Sequence, residues 1–500
     1  MRRSLIPATG LAAAGLVVLT LTPATAATSA APSRGTSAAA FGADAAAVGD
    51  VATRAVAVAS GDSRTVSEPV RPATCVALPA GLTASSRKFT GSQEASPPDT
   101  DRVQAALTQC AGTGKAVELT ASGTNTAFLT GPLTIGGGVT LLIDSGVTLY
   151  GSLNPAGYQV SGKPTCGTVA DDSGGCKPLI TVSGAHAGLM GVRDSSGHQG
   201  TVDARGDLPL YGQSASWWDI ALQAKNSGKK QNNPRMVQAS GDDFTVYDVN
   251  LINSPNFHIA YKGNGFTVWG VRIKTPATAK NTDGIDPSGS NVTINDSYIE
   301  AGDDGIAIKA GSSSATNMTI ENSHFYGTHG ISIGSETNAG ASNILFRNNT
   351  VSGKDSAGNV STSNNGIRIK SDSSRGGKVS RVTYQNTCLT GVKEPLVFDP
   401  YYSSSTGSLI PSFTDVLVDG ARAVSSPSGT VSTLDGYSAS YPLGLTLRNV
   451  QFDVTKTTAQ YAAIGVYNTD LAPSGTGVTV TSVSGGGSVP TCTFPAFPKL

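Results

Sequence analysis

The second half of the chain repeats a short pattern in which apolar and polar residues alternate. Alternation of this kind over four to eight residues predicts a β-strand with one face in a core. The clear copies begin at Phe244, Phe266, Val292, Met318 and Ile344, and weaker copies begin at Val382, Val416 and Leu445. The first four steps between copies are 22, 26, 26 and 26 residues long, and the later steps are longer, which indicates inserted loops.

A repeating unit of this size cannot bury an apolar face by itself, so the units must stack on one another. Short strands at this period, with asparagine recurring near the turns, predict an all-β chain folded as a parallel β-helix. A β-propeller is the weaker interpretation, because each of its blades needs about 40 residues.

A second pattern inside the same units is glycine followed by isoleucine. It occurs at Gly284-Ile285, Gly305-Ile306, Gly330-Ile331 and Gly366-Ile367. If each pair opens a strand, the isoleucines point into the core and the alternate positions point outward. The outward positions then include Ala307, Lys309, Ser332, Arg368 and Lys370.

This register predicts a ladder of polar side chains along an open groove. Neighbouring strands lie about 4.8 Å apart, so Asp283, Asp304 and His329 are expected one rung apart. Arg368 and Lys370 are expected one or two rungs further along. A linear groove of acids, imidazole and cations suits an extended polymer.

One helix is predicted ahead of the repeats, over residues 100–110. Thr100 or Asp101 is expected to cap it, and an apolar stripe is expected to face the strands. The stripe consists of Val103, Ala106, Leu107 and Cys110. We therefore expect a short helix that caps the amino-terminal end of the β-helix.

The amino-terminal residues predict export from the cell. Residues 1–26 combine Arg2-Arg3, an apolar run and Ala24-Thr25-Ala26, which is typical of a secretory signal peptide and its cleavage site. The apolar run is shorter than the ~20 residues that a membrane-spanning helix needs. Residues 27–70 are rich in Ala, Ser, Thr and Gly and predict a disordered linker, which leaves 71–500 for the β-helix.

Charge and cysteine content limit the classes of binding partner and the cell compartment that we expect. The chain has 35 basic and 35 acidic residues, so no overall field favours nucleic acid or an anionic membrane. Six cysteines fit an oxidising compartment, and their spacing matches no zinc ribbon, so no metal site is predicted from them. Cys166–Cys176, which brackets a glycine-rich loop, is predicted on local grounds, and order along the chain adds Cys75–Cys110 and Cys388–Cys492.

The candidate chemistry lies in residues 281–304, where Asp283, Asp303 and Asp304 occur in a chain with only 14% charged residues. Crowded carboxyls cannot all ionise readily, so one can hold a proton while another acts as a base, as glycoside hydrolysis requires. Two other interpretations stay open on these residues alone: Asp-rich loops also bind Ca²⁺, and Asp beside Gly is a common turn residue. The other Gly-Asp-Asp, at residues 241–243, is assigned that turn role because it lacks histidine and basic partners.

Four short motifs occur in an order that resembles the polygalacturonases of glycoside hydrolase family 28. They are Asn281-Thr282-Asp283-Gly284, Gly302-Asp303-Asp304, His329-Gly330 and Arg368-Ile369-Lys370. Residues 200–203, 217–219, 230–235 and 254–258 resemble bacterial members, and the likeness extends over about residues 75–470. The resemblance implies a right-handed parallel β-helix that hydrolyses α-1,4-linked galacturonan with inversion and without a cofactor.

The resemblance also implies a role for each catalytic residue. Asp303 resembles the general acid that protonates the leaving glycosidic oxygen, and Asp283 and Asp304 resemble the pair that activates water. His329 would support the protonation and the position of the acid. The family usually has glycine before this histidine, whereas this chain has Thr328, which would be strained if the backbone there needed a positive φ.

Substrate binding is expected at Arg368 and Lys370, because a guanidinium and an ammonium both suit the carboxylates of sugar acids. A tyrosine near the product-side sugar is expected at Tyr402, with Tyr401 as the alternative. The basic run Lys225, Lys229, Lys230 and Arg235 is either a solvated loop or a further contact with the substrate. The other histidines, His186, His198, His258 and His324, are assigned structural roles, with His258 as the one candidate exception.

The sequence therefore predicts a secreted, monomeric polygalacturonase that acts on polygalacturonate or pectin, with endo attack favoured over exo attack. Three alternatives stay open. They are another family 28 hydrolase, acting on rhamnogalacturonan or xylogalacturonan or from a chain end; a calcium-dependent pectate lyase; and a non-catalytic β-helix that binds polysaccharide.

Overall fold

The computed structural model describes residues 57–500. The predicted signal peptide, 1–26, lies outside the described residues, as do residues 27–56 of the predicted linker. The helices are Gly91–Ala95 (α1), Thr100–Cys110 (α2) and Trp217–Ser227 (α3), with a 3₁₀ turn at Pro155–Tyr158. No helix in residues 57–500 is long and apolar enough to cross a bilayer.

Strands make up most of the described chain. The first eleven are Thr74–Pro79 (β1), Lys115–Thr120 (β2), Ala127–Thr130 (β3), Leu133–Ile135 (β4), Val139–Ile143 (β5), Thr148–Gly151 (β6), Val169–Ala170 (β7), Ile180–Val182 (β8), Gly188–Gly191 (β9), Thr201–Asp203 (β10) and Lys230–Gln231 (β11). The next eleven are Val237–Ala239 (β12), Phe244–Tyr247 (β13), Asn250–Ile252 (β14), Ile259–Trp269 (β15), Arg272–Lys274 (β16), Ile285–Asn295 (β17), Tyr298–Glu300 (β18), Ile306–Ile308 (β19), Ala315–Glu321 (β20), His324–Tyr326 (β21) and Ile331–Ile333 (β22). The last eleven are Ala341–Arg347 (β23), Thr350–Ser352 (β24), Asn365–Lys370 (β25), Lys378–Thr390 (β26), Glu394–Asp399 (β27), Ser412–Val424 (β28), Ser432–Asp435 (β29), Leu443–Phe452 (β30), Thr457–Gln460 (β31), Ala462–Thr469 (β32) and Val478–Ser482 (β33).

All but two of these strands pair in parallel and wind into the three faces of one β-helix. The first face runs through β1, β2, β5, β9, β13, β15, β17, β20, β23, β26, β28, β30, β32 and β33. The second runs through β4, β8, β12, β15, β17, β19, β22, β25, β27, β29 and β31. The third begins with β3, β6, β10, β14, β16, β18, β21 and β24. The long strands β15 and β17 bend from the second face into the first.

The register of the first face confirms the predicted repeat. Phe244 pairs with Phe266, Phe266 with Val292, and Val292 with Met318. The same column continues through Ile344, Val382, Val416 and Leu445, so the weaker copies are true repeats. Side chains in this column are almost fully buried, and burial of such apolar surface is the main source of stability.

Asparagine recurs because the turn between the second and first faces needs a left-handed backbone. Asn291, Asn317 and Asn343 have φ of 57°, 57° and 59°. Apart from glycine, asparagine is among the residues that adopt this region most readily. The side chain of Asn343 also donates to that of Asn317 at 2.8 Å, which ties one coil to the next.

Helix α2 matches the predicted boundaries, and its predicted apolar stripe is buried against the first coils. The predicted capping residue is wrong, because the cap position is Asp99 and the helix already begins at Thr100. The Asp99 carboxylate does not cap the helix. It accepts from the backbone N–H of Leu129 at 2.7 Å and pairs with Arg102, so it joins the helix to β3.

Three disulfides are present, and all three predicted pairings are confirmed. Cys75–Cys110 joins β1 to α2, Cys166–Cys176 closes a surface loop, and Cys388–Cys492 fastens the carboxy-terminal segment to β26.

Residues 57–70, the described part of the predicted linker, lie in extended contact with the first face. Ser60 donates its backbone N–H to the side chain of Asn343 at 2.8 Å, and Asp62 donates its own to Thr319 at 2.9 Å. Arg64 donates to the carbonyl of Phe266 at 3.0 Å. These residues are therefore held on the β-helix, and the boundary at residue 70 stays a prediction.

Candidate active site

The Gly-Ile register determines where the polar side chains lie. Ile285, Ile306, Ile331 and Ile367 pair in turn on the second face, and all four are fully buried. The residues two positions before the first three are Asp283, Asp304 and His329, which therefore occupy equivalent places on successive coils. A backbone hydrogen bond of 2.9 Å from Gly284 N–H to the carbonyl of Asp304 fixes the first of these steps.

Asp303 and His329 form one hydrogen-bonded unit. His329 Nδ1 lies 2.8 Å from Asp303 Oδ1, and the backbone N–H of His329 donates to the Asp303 carbonyl at 2.8 Å. The backbone N–H of Asp304 also donates to Asp303 Oδ1, at 2.9 Å. Both side chains are partly exposed, at 19% for Asp303 and 12% for His329, so the unit can reach a ligand in the groove.

Asp304 is buried beneath this unit and is held by a cation. Lys370 Nζ lies 2.6 Å from Asp304 Oδ2, and the Ser332 hydroxyl donates to Asp304 Oδ1 at 2.8 Å. Arg368 Nη1 lies 3.8 Å from the same Oδ1. The buried carboxyl of Asp304 therefore has a cation and a hydroxyl donor within hydrogen-bond distance.

Asp283 has the opposite environment. Its Oδ1 is buried without a hydrogen-bond partner among the described residues. Burial, and then the neighbouring carboxylates of Asp303 and Asp286, raise the pKa of Asp283 well above its ordinary value, and Lys309 partly offsets them. Asp283 is thus a carboxyl that tends to keep a proton.

The pKa of Asp303 moves the other way. Burial acts to raise it, but the charges of His329 and Lys370, together with hydrogen bonds from His329 and Asp304, outweigh burial and lower it. In the free groove Asp283 therefore holds a proton more readily than Asp303 does. Two carboxyls with pKa values pushed apart are the usual mark of an acid and base pair.

The cations predicted to bind substrate lie together on the coil after His329. The Arg368 guanidinium carbon lies 5.2 Å from the centre of the Tyr402 ring, and Lys370 Nζ lies 4.9 Å from it. Tyr402 is 41% exposed, so its ring can also contact a ligand. Tyr401 instead stacks on Tyr437 at 5.4 Å, which favours Tyr402 over Tyr401 as the product-side tyrosine.

Thr328 causes no backbone strain. Positive φ occurs at Gly327 (63°) and Gly330 (98°), on either side of the Thr328-His329 pair, and not at Thr328. The Thr328 hydroxyl accepts from the backbone N–H of Gly330 at 3.3 Å and is buried. The unusual threonine therefore fits the turn that presents His329.

Asp286 was not singled out from the sequence, and Lys309 was predicted only to point outward from the strand. Asp286 is buried beside the acidic ladder, and burial is the main cause that raises its pKa to about 7, with Lys309 acting against it. Lys309 faces Asp286 and Asp283, whose charges raise its pKa in spite of burial. The Gly-Ile register contains the signal for Asp286, because it follows Ile285 and must point outward next to Ala307.

Asp303, Asp304 and His329 are the one group in residues 57–500 with enough ligand atoms to hold a metal ion, all within 4.8 Å of one another. Lys370 already occupies one oxygen of Asp304 at 2.6 Å. A cation at this place would have to displace the ammonium or lie beside it. The donor set therefore fits a buried ion pair better than a metal centre.

The other predicted structural residues lie away from this group. At a different corner, Asp242 of the second Gly-Asp-Asp accepts from the backbone of Asn264. The expectation that this turn lacks histidine and basic partners is wrong, because His186 Nδ1 lies 3.4 Å and Arg64 Nη1 lies 3.9 Å from Asp243. His198 pairs with Asp194 at the surface, and His324 contacts Thr350 on the third face.

His258 touches the catalytic ladder from inside the β-helix. It is fully buried, and burial lowers its pKa to about 4, so the ring is neutral. Both its backbone N–H (2.9 Å) and its Nδ1 (3.0 Å) lie against the carbonyl of Asp283, and its Nε2 lies 2.8 Å from the hydroxyl of Thr275. His258 therefore positions the backbone of Asp283.

We expect His258→Leu to lower both stability and turnover. The substitution removes two buried hydrogen bonds and leaves the Thr275 hydroxyl only its bond from the backbone N–H of Ser254, which costs about 1–3 kcal/mol. It also frees the backbone that carries Asp283, so kcat should fall. Urea unfolding and initial rates check this, with exposed His198→Leu as the control; unchanged values for both measurements in His258→Leu would contradict the positioning role.

Comparison with known proteins agrees with this geometry. Residues 126–470 match the family model described as glycosyl hydrolases family 28. The chain is 42% identical to a polygalacturonase from Ralstonia solanacearum over 78% of this chain and 80% of that protein. It is 40% identical to an endo-polygalacturonase from Pectobacterium carotovorum subsp. carotovorum over 78% of this chain and 89% of that one. The solved polygalacturonase from Erwinia carotovora ssp. carotovora superposes with a TM-score of 0.71 at 36% identity, covering 84% of this chain and all of the other.

Proposed function

Because the chain belongs to glycosyl hydrolase family 28, we propose that it hydrolyses the α-1,4 bonds of polygalacturonate by endo attack. The observation that supports this most directly is the row of acid, imidazole and cation along the second face. Three crowded aspartates lie at one end of this row. Arg368 and Lys370 lie at the other end, and their charges suit the carboxylate of an acidic sugar. Three disulfides and the predicted signal peptide support secretion, and we propose a monomer.

In this proposal Asp303 delivers the proton to the leaving glycosidic oxygen. His329 Nδ1 lies 2.8 Å from Asp303 Oδ1, so the imidazole fixes the position of the acid and the two side chains form one hydrogen-bonded unit. The side chains of this unit are partly exposed to the groove, whereas the Asp304 side chain is almost fully buried and pairs with Lys370 at 2.6 Å. The exposure of this unit supports Asp303, among the three aspartates, as the general acid.

Substrate binding helps to place that proton correctly. Lys370 is one of the groups that lower the pKa of Asp303 in the free groove. When a galacturonate carboxylate binds beside Lys370 it offsets that positive charge, and the pKa of Asp303 rises again. Binding thus favours the protonated acid that cleavage needs.

Asp283 then acts as the base that takes a proton from water. Its raised pKa makes it a stronger base than an ordinary carboxylate once it has lost its own proton. Asp304, fixed by Lys370 and Ser332, orients the same water molecule. Inversion follows from attack by this water on the face opposite the leaving group.

The function is tested by the products formed from polygalacturonate. We expect reducing ends to appear together with oligomers of mixed length from the first minutes, and no unsaturated sugars. Chelation with EDTA should leave the initial rate unchanged, because Lys370 rather than a metal ion balances the charge of Asp304. Release of monomer alone would contradict endo attack, and EDTA-sensitive formation of unsaturated products would identify a lyase instead.

The pH profile tests the role of Asp283 as the base. A base must be ionised, so kcat/KM should fall as the pH drops through the raised pKa of Asp283. Lys309 lowers that pKa, so Lys309→Met should raise it further and move the acid limb to higher pH. The alkaline limb, which reflects loss of the proton from the general acid, should stay in place.

Lys262→Met is the matched control, because Lys262 binds Ser312 at 2.8 Å and is not among the charges that act on Asp283. Its pH profile should equal that of the unchanged protein. If Lys309→Met leaves the acid limb where it was, Asp283 is not the group that sets it.

A further inference from the structure

A basic cleft opens on the amino-terminal side of the acidic ladder. It has a volume of about 450 Å³ and is lined by four cations. These are Lys225, Lys229, Lys230 and Arg235. No aspartate or glutamate is among the residues that line it. We use the name basic cleft for this space.

The cleft is continuous with the catalytic groove. Asn281, two residues before Asp283, lines it, and so does Gln238, to which Arg235 donates at 3.1 Å. Gln238 pairs with Ala260 and Ala260 pairs with Asp286, so the floor of the cleft lies two strand spacings, about 10 Å, from the coil of Asp283. Arg368, Lys370 and Tyr402 lie on the opposite side of the acids.

The walls of the cleft are held in place without a ligand. Helix α3 starts with a reciprocal cap between Ser216 and Asp219, and it ends at Gly228, whose φ is 68°. Buried Asn232 accepts from the N–H of Gly175 at 2.9 Å and donates to the carbonyl of Asp172 at 3.2 Å. The helix, the basic segment and the loop closed by Cys166–Cys176 therefore form one structure.

The positive charge in the cleft is largely unbalanced by the protein. Lys229 lies 3.3 Å from Asp171, but both side chains are mostly exposed, so the pair holds it weakly. Lys225, Lys230 and Arg235 have no ion-pair partner within 4 Å among the described residues. Concentrated charge of this kind in a chain of zero net charge indicates an anionic ligand.

One wall also contains a hydrogen-bond acceptor, on Asn233, that has no partner among the described residues. Asn233 donates its side-chain amide to the carbonyls of Trp217 (2.7 Å) and Pro255 (3.1 Å). Its Oδ1 is buried and has no partner among the described residues, and Asn233 lines the cleft. A ligand that combines carboxylates with hydroxyl donors would use both the cations and this oxygen.

We propose that the basic cleft binds the carboxylates of galacturonate units on the side of the scissile bond opposite Arg368 and Lys370. This inference rests on the proposed function and adds a specificity to it. The enzyme then binds free carboxylates at two separated places along the polymer. A methyl ester at the distal place removes the charge that the lysines bind, so the preferred substrate is an unbroken block of unesterified galacturonate.

The test replaces the three exposed lysines together, as Lys225→Gln/Lys229→Gln/Lys230→Gln. We expect kcat/KM for long polygalacturonate to fall on the order of tenfold, since each screened surface contact contributes little by itself. Cleavage of trigalacturonate, which is too short to span both places, should stay within about twofold of the unchanged protein. The unchanged protein should cleave pectin with blockwise methyl esters faster than pectin with the same number of randomly placed esters, and this difference should be smaller in the variant. Added salt should also slow the variant less than it slows the unchanged protein.

A triple variant with the same loss of charge away from the cleft, Lys115→Gln/Lys378→Gln/Lys499→Gln, should keep the activity on both substrates. An equal loss on trimer and polymer, or an equal loss in this control, would overturn the proposal, as would an unchanged rate on the polymer. If the melting temperature of the cleft variant falls, the three lysines are replaced one at a time. The ratio of the rate on polymer to the rate on trimer is then measured for each single variant, and a lowered ratio is expected. Failure of the proposed function itself would be seen separately, as no release of reducing ends by the unchanged protein.

Discussion

Asp303→Asn is expected to lower kcat on polygalacturonate by about 10²–10⁴-fold, the usual contribution of a general acid. Asparagine keeps the size of the side chain and an oxygen that can still accept from His329 and from the backbone of Asp304, as Asp303 Oδ1 does at 2.8 and 2.9 Å. It cannot deliver a proton to the leaving oxygen. The fold and substrate binding should therefore persist while turnover is lost.

Asp242, in the second Gly-Asp-Asp of the chain, provides a matched control for this substitution. The second Gly-Asp-Asp, residues 241–243, begins another turn of the same β-helix, and Asp242 accepts from the backbone of Asn264 at 2.8 Å. Its coil is five strand pairings away from the coil of Arg368 and Lys370. Asp242→Asn should leave kcat and KM unchanged. Reducing-end assays with matched melting curves give the comparison, and near-normal turnover by Asp303→Asn would remove Asp303 from the acid role.

The fold could be predicted from the sequence because its signal is repeated many times. Each coil contributes the same column of apolar residues, so weak copies such as Val416 and Leu445 are supported by strong ones such as Val292. The same argument places Asp283, Asp304 and His329 one rung apart, because the neighbouring Gly-Ile pairs fix the register.

Features that depend on single contacts were harder to predict. The capping position of α2 was missed because the carboxylate of Asp99 is used by Leu129, a residue distant in sequence. Asp286 and Lys309 belong to no recognised motif, and their charges act on Asp283 only because the fold brings them near it. The direction of the pKa of Asp303 likewise depends on how closely His329 and Lys370 approach it.

The roles of the site residues stay predictions, and the second large effect we expect concerns Lys370. Lys370→Met keeps much of the side-chain volume but leaves the buried carboxylate of Asp304 without the ammonium that lies 2.6 Å away. Breaking a buried pair from one side costs about 3–5 kcal/mol, so the free energy of unfolding should fall by an amount in this range. The variant also loses a cation for the substrate carboxylate, so kcat/KM should fall by about 10²-fold or more.

A double-mutant cycle with Asp304→Asn separates the two consequences. If the instability of Lys370→Met comes from an unpaired buried carboxylate, then Lys370→Met/Asp304→Asn should regain most of the lost unfolding free energy, because the charge is gone. Activity should not return, since the double variant lacks both the substrate cation and the aspartate that orients water. Urea unfolding of the four proteins measures the first result and initial rates measure the second. A double variant less stable than Lys370→Met would show that Lys370 acts mainly through packing, and recovered activity would show that Lys370 served Asp304 rather than the substrate.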